Sequence, residues 1–382
     1  MEIRVAKNSE AHYTTITEAL QAVPYSERSR ILIGPGVYRE KLFFEKKDLL
    51  IQGTDPEKTV ISWGDGGYEL LPHGRKRGTF RSYTVFAGGE KVSLKNLIIE
   101  NTAGPGERAG QAIALYADAA CVNAEDLVLN GFQDTLFLAP LPDKEREPGG
   151  FTGPGMLRER RLTRQYYKRC AIRGDVDFIF GGADALFEEC LIGINGKSGF
   201  IAAPCECRGE LGFFFLNCEI RCMGNRKEGS QGDPLMWNFQ ENSTRPLARD
   251  RREGSQSDPL MWNFQENSTR PLARNRRVGS QTGIFLGRPW RPGARAVFLN
   301  CQMDEGIDSR RFSGWNAAEE AVPDVYFAEA GTIRPDGTEQ DLSKRNSWVI
   351  VPGEKEKGQL LSKAASFRGY FADRRGQGND PV

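Results

Sequence analysis

The sequence predicts an all-β solenoid, a parallel β-helix, and three observations carry that prediction. The first is a recurring pattern. Align Leu97, Leu127, Cys170, Cys190, Cys218 and Cys301: three residues earlier stand Leu94, Ala124, Tyr167, Phe187, Phe215 and Phe298, and two residues later Ile99, Leu129, Ile172, Ile192, Ile220 and Met303. The second is the spacing of these landmarks, 30, 43, 20, 28 and 83 residues. Units of about 20–30 residues that stack on their neighbours mark a solenoid, and strand-type alternation inside each unit makes it a parallel β-helix. The third is that strands from Ile31 onward are short, broken by Gly and too close together for βαβ units.

Taken in order, Glu2 to Val5 reads as a strand. Thr15-Ile-Thr-Glu18 is a capping box, and Ile16, Leu20 and Val23 form one apolar stripe of an N-terminal capping helix that stops at Pro24. Short strands follow at Ile31-Leu-Ile, Val37-Tyr, Leu49-Leu-Ile-Gln and Val60-Ile-Ser. The two longest spacings imply inserted loops. Residues 139–160 form a loop rich in Pro, Gly and charge, and residues 222–282 hold a tandem duplication. Its copies, 228–252 and 253–277, differ only at Gly232/Ser257 and Asp250/Asn275. They lack strand alternation. One reading is a substrate-contacting flap with Trp237 and Trp262 as sugar platforms; the preferred one is a tolerated surface loop, since extra loop length costs only slowly growing entropy. Past Pro323, Val325-Tyr-Phe and Trp348-Val-Ile-Val look like strands, Glu354 to Ala365 like a short helix, and residues 373–382 like a polar tail. All of this is expected to be one domain over residues 1–382.

Composition narrows the function. Net charge is +1, which suggests neither a nucleic-acid nor a membrane-surface partner, and no apolar run approaches the roughly 18 residues needed to span a bilayer. The N-terminal Met-Glu-Ile-Arg-Val-Ala-Lys-Asn has no apolar core of a signal peptide, so a cytoplasmic protein is expected; a monomer is expected as well. Eight Cys in 382 residues is not disulfide density. The four aligned ones read as an inward column of free thiols, and the spacing of Cys205-x-Cys207 and Cys218-x3-Cys222 argues for no structural zinc. Only two His exist, His12 and His73, both among polar or turn residues, and there is no Gly-x-Ser-x-Gly. Hydrolytic chemistry would therefore run on carboxylates or a metal.

Carboxylates are suitably placed. In Leu127-Val-Leu-Asn-Gly-Phe-Gln-Asp134 and Cys170-Ala-Ile-Arg-Gly-Asp-Val-Asp177 the Asp lies seven positions past the landmark. Equivalent positions of adjacent turns lie about 5 Å apart at the backbone, so Asp134 and Asp177 should be neighbours. Two such carboxylates do not ionise equally, which supplies an acid and a nucleophile. The bland alternative is a pair of solvated turn residues. Their company favours chemistry: Gln111 and Gln133 could donate to an oxyanion, Phe132, Phe178 and Phe180 would lower the local dielectric, Arg288 could hold one Asp ionised, and Trp290 offers a flat face to a sugar.

Gly110-Gln-Ala-Ile-Ala-Leu, Gly131-Phe-Gln-Asp-Thr-Leu-Phe, Gly174-Asp-Val-Asp-Phe-Ile-Phe-Gly and Leu286-Gly-Arg-Pro-Trp, with Gly78-Thr-Phe-Arg-Ser-Tyr-Thr84 before them, together resemble the pectin methylesterase family. The resemblance implies a right-handed parallel β-helix that needs no metal or cofactor. It implies that Asp177 attacks the C6 carbonyl of a methyl-esterified galacturonate in an oligo- or polygalacturonate, and that Asp134 is the acid and then the base. Gln111 and Gln133 would stabilise the oxyanion, Arg288 would orient Asp177, and Trp290, Phe180, Thr84 and Phe137 would line the sugar subsites. Phe137 and Phe285 stand where family members often carry Tyr. The rivals are another β-helix pectin-degrading enzyme (a lyase or polygalacturonase), an esterase acting on a different ester or thioester, and a non-catalytic carbohydrate-binding solenoid.

Overall fold

The registers between strands reproduce the aligned columns. Leu94 pairs with Ala124, Ala124 with Tyr167, Tyr167 with Phe187, Phe187 with Phe215 and Phe215 with Phe298, all in parallel ladders. A second parallel sheet joins Val128 to Ala171, Leu191, Glu219 and Gln302 on successive turns. A third joins Phe43, Phe86, Tyr116, Phe137, Phe180 and Ala203. Three sheets coil around one core, and the fold is a parallel β-helix. The structure, a computed structural model, describes residues 1–7, 11–223, 283–316 and 324–376, with side chains to residue 372. Both copies of the duplication lie outside the described residues, as do Trp237 and Trp262.

Stacking identical positions every turn makes ladders of like side chains. Inside, the rings of Tyr167, Phe187, Phe215 and Phe298 stack at 4.9, 4.6 and 4.3 Å. Each ring removes from water an area worth about 1.5–3 kcal/mol, with about 0.5–1.5 kcal/mol more per ring pair. Beside them runs the Cys column. Cys190, Cys218 and Cys301 direct their thiols at the carbonyls of Tyr167, Phe187 and Phe215 one turn back, and all eight Cys are free.

The residue just before each landmark has a structural reason that the sequence reading did not supply. Asn96, Asp126, Arg169, Glu189, Asn217 and Asn300 all adopt φ between 51° and 55°. One left-handed residue turns the chain sharply from the first sheet into the second. Asn and Asp tolerate that conformation best, which is why a polar column marks the corner.

The N-terminal helix runs Ile16–Ala22, with Thr15 accepting from the Glu18 amide, and Ile16, Leu20 and Val23 are buried in the core. At the other end the sequence reading needs two corrections. The C-terminal helix is Glu354–Gly376 rather than ending at Ala365, so it runs into the stretch assigned to the tail. Its Ala364 and Phe371 pack on the outer face of the first sheet, Phe371 lying 5.5 Å from Tyr166. That contact extends the apolar stripe beyond Ala365. The expected strand at Trp348 is only a bridge between Ala328 and Ile350. Among the described residues no helix is long and apolar enough to cross a membrane.

Outside the third sheet, a further aromatic ladder runs Phe43, Phe86, Tyr116, Phe137 and Phe180, with successive centroids 4.7, 4.9, 4.6 and 4.9 Å apart. Polar side chains would normally face solvent there. Instead the 139–160 loop lies over it, burying Ala139, Leu141 and Phe151 together with Phe80. The cleft described next opens beside this covered patch.

Candidate active site

The two Gly–Asp segments lock to one another through their backbones. The Asp134 amide donates to the Val176 carbonyl and the Asp175 amide to the Phe132 carbonyl, each at 3.1 Å. Gly174 permits this approach: a Cβ there would stand 2.2 Å from the Phe178 Cβ and 2.6 Å from the Phe132 carbonyl oxygen. Both Asp residues are left-handed, Asp134 at φ 66° and Asp177 at φ 50°, and the ladder is irregular between Val176 and Ile179. Ile179 pairs with Leu136, so the two Asp stand at equivalent places on adjacent rungs, two residues before that pair. Each is only 7% exposed.

A cleft of about 330 Å³ gathers Gln111, Gln133, Asp134, Asp177, Phe180, Arg288 and Trp290, seven of the nine positions named from the sequence. Arg288 reaches across from two turns further on. Its Nε donates to Asp177 Oδ1 at 2.9 Å and its Nη2 to Oδ2 at 2.7 Å, a bidentate ion pair. The guanidinium is held between two rings, 3.9 Å from the Phe200 centroid and 4.2 Å from that of Trp315. Phe285, fully buried, stacks beneath Phe200 and fixes that face.

The two carboxyls are electrostatically unequal. Burial pushes the Asp134 pKa well above the usual carboxylate range, the negative charge of Asp177 adds to this, and Arg288 opposes it. Asp175, also pushed upward by burial, is a third carboxyl in the cluster that sequence reasoning passed over. Gln133 lies against the short helix Gly106–Ala109, where a Cβ on Gly106 would stand 2.3 Å from its Oε1. The glycine leaves that amide its place.

Two residues expected at the sugar subsites are not there. Thr84 is fully buried and its hydroxyl donates to the Glu100 carbonyl at 2.9 Å. Phe137 is fully buried in the outer ladder, beneath Phe80 and Phe180. Thr79 and Phe80, on the helical turn Thr79–Arg81, take up the lining instead. Also missed were Arg146, Glu147 and Phe151 from the inserted loop, and Arg291 and Trp315. Arg291 directly follows Pro-Trp290 and could have been suspected; the loop residues carried no local signal.

Fold and cleft together define a parallel β-helix enzyme with a paired-carboxylate site under an aromatic rim. The family model described as Pectinesterase matches residues 2–141, 160–231 and 242–366, and the chain belongs to that family. It is 31% identical over 369 residues to Pectinesterase 31 of Arabidopsis thaliana, covering 94% of this chain and 90% of that one. Several other matched relatives are longer, and the chain spans about half their length, 45–49%. Among solved structures, pectin methylesterase from carrot shares the fold at a TM-score of 0.64 and 20% identity, covering 93% of this chain and 89% of that one. A pectin methylesterase solved in complex with a hexasaccharide does so at 0.59 and 20% identity, covering 94% of both chains.

Proposed function

We propose that the chain removes methyl esters from galacturonate units of pectin or pectic oligosaccharides, with Asp177 as nucleophile and Asp134 as acid and base. The observation that carries this reading is the asymmetry of the pair. Asp177 is held by the Arg288 fork, while Asp134, buried beside it, is pushed toward its protonated form. An Asp177 oxygen attacks the C6 carbonyl, and Gln111 and Gln133 donate to the oxyanion. As the intermediate collapses, the C–O bond to the methoxy group breaks and Asp134 gives its proton to departing methanol. Asp134, now a carboxylate, takes a proton from water. The resulting hydroxide adds to the acyl–Asp177 anhydride, which releases the uronic acid and restores both residues.

Trp290 and Phe180, 5.7 Å apart, provide apolar faces for the sugars. Arg146, Glu147 and Phe151 of the loop over the third sheet line the cleft, a wall that favours short oligogalacturonates over polymer, and eight unpaired thiols favour a reducing compartment. The test is methanol release from methyl-esterified oligogalacturonates of graded length, wild type against Asp177→Ala. Turnover should vanish in the variant while oligosaccharide binding persists. Chain cleavage by the wild type would instead support a lyase or polygalacturonase, and faster turnover of long pectin than of trisaccharide esters would refute the length preference.

A further inference from the structure

We propose that Phe200 is a positioning residue for the nucleophile: its ring holds the Arg288 guanidinium in place, and Arg288 in turn holds Asp177. The inference rests on the esterase reading above and adds a residue that paired-carboxylate chemistry does not itself call for.

Phe200 does not line the cleft and is 9% exposed, so it bears on the reaction only through its neighbours. Its backbone belongs to the rung next to the acids. Val176 pairs with Phe200 in register, and the Phe200 amide donates to the Asp175 carbonyl at 3.1 Å. Its ring lies 3.9 Å from the Arg288 guanidinium, whose Nε and Nη2 donate to Asp177 at 2.9 and 2.7 Å. Phe200 is thus tied to both partners of the ion pair, to the Asp177 segment through its backbone and to Arg288 through its ring.

The ring is itself backed. Phe285 stacks on it, with centroids 5.5 Å and planes 14° apart, and is fully buried. A second cation seats on that backing ring: the Arg310 guanidinium lies 4.9 Å from the Phe285 centroid and donates to Asp308 at 2.9 and 2.8 Å. Arg288 is anchored at its root, where its amide donates to the Ala202 carbonyl at 2.9 Å. The other ring at the guanidinium, Trp315 at 4.2 Å, lines the cleft and can meet sugar. Phe200 is the ring of the two that substrate does not reach.

The residue type suits the task. A guanidinium donates hydrogen bonds from its edges and is weakly hydrated. A ring against its face attracts it and excludes water, yet leaves the edge donors to Asp177. An aliphatic side chain excludes water but attracts nothing. The long Arg288 side chain would then regain rotamers, and the fork on the nucleophile would loosen. Small misplacements of a reacting group cost rate steeply.

The experiment is a double-mutant cycle on the full chain, read as kcat and KM for methanol release from methyl-esterified trigalacturonate. Phe200→Leu should lower kcat about thirtyfold, the worth of a desolvated cation–π contact, and leave KM within about twofold. Phe200→Tyr keeps the ring and should stay within about threefold of wild type. In an Arg288→Met background the Leu change should cost less than about threefold, because the cation it serves is gone. An equal loss in both backgrounds would overturn the proposal and leave Phe200 as packing; a raised KM with kcat intact would overturn it as well. Hydrogen exchange of the Arg288 Nε–H, followed by NMR and assigned by its absence in Arg288→Met, needs no substrate. It should quicken in Phe200→Leu by a factor similar to the loss in kcat, and an unchanged rate counts against the proposal. Phe200-dependent exchange in a protein that releases no methanol would sink the esterase and keep the positioning role. Methanol release with Phe200-independent exchange and kcat would do the reverse.

Discussion

Arg288→Met isolates the contact on which the proposed chemistry turns. The wild-type side chain makes two charge-assisted hydrogen bonds to Asp177, at 2.9 and 2.7 Å, between rings 3.9 and 4.2 Å away. Its side chain is 18% exposed and that of Asp177 9%, so the pair is largely but not wholly dry. Removing one partner of a buried pair costs about 3–5 kcal/mol, and the residual water places this one near the lower end. Methionine fills the slot between the rings, so the loss is of charge and hydrogen bonds rather than volume. The effect on catalysis is separable from stability. Without the fork the Asp177 oxygens lose the contacts that orient them, so kcat for methanol release should fall by about 10²-fold, the cost of two charge-assisted bonds. Arg288→Lys restores the charge without the fork, and kcat should stay depressed by about tenfold, the cost of one charge-assisted bond. If Met leaves kcat where it was, the ion pair does not orient the nucleophile and the assignment of roles fails.

Three further outcomes follow from the same geometry. Asp134→Asn should cut methanol release by about 10²–10⁴ yet raise the melting temperature at pH 8. The sign is set by burial: with the folded pKa raised, stability is lost as pH climbs from the ordinary carboxylate range through that raised value. The gain of the Asn variant should shrink toward pH 4, and a constant gain across pH in calorimetric scans would contradict the burial argument. Gly106→Ala would drive a methyl into Gln133 Oε1; kcat should drop by about 10²-fold, as for loss of an oxyanion donor, with KM and urea stability little changed. Asn217→Val forces a β-branched residue to φ 53° and should cost about 1–2 kcal/mol in urea unfolding, whereas Asn217→Gly should stay within about 1 kcal/mol of wild type.

Repetition made the fold legible. Six landmarks spaced irregularly along the chain fall on one another in space because stacked turns demand equivalent residues at equivalent heights, whatever the loops between them do. The same logic placed Asp134 beside Asp177 from a shared offset, and the motif around Leu286-Gly-Arg-Pro-Trp placed Arg288 and Trp290. What escaped is what repetition does not govern. Thr84 and Phe137 lie close in sequence to cleft residues, but strand alternation and the covering loop turn them into the packing, and one register step decides between cleft and core. Arg146 and Phe151 come from a non-repeating loop, and Trp315 follows the last full rung. None of them had a partner in the periodic pattern against which to be recognised. The polar corner column owes its residues to a left-handed φ, a property of backbone geometry that residue type only hints at.

The stacking that builds the core also forces the electrostatic problem that the site exploits. Neighbouring rungs stand about 4.8 Å apart, and two carboxylates at such a separation repel by about 3–4 kcal/mol at an effective dielectric near 20. A β-helix with acids on consecutive rungs cannot keep both ionised without compensation. Here compensation is one-sided. Asp134 occupies the earlier rung and has a proton-retaining, buried setting. Asp177 follows on the next rung, then the strand Gly199–Pro204 contributes the Phe200 ring, and Ile284–Gly287 leads directly into Arg288. The cation therefore arrives from the Asp177 side only, through a ring that excludes water. That order along the helix axis makes the settings of the two acids unequal. Placing the cation beyond Asp134 instead would exchange the two settings with no change in the carboxyls themselves. The difference in setting between two chemically identical residues is thus written in the sequence of rungs, and Asp175, beside Asp134, pushes in the same direction.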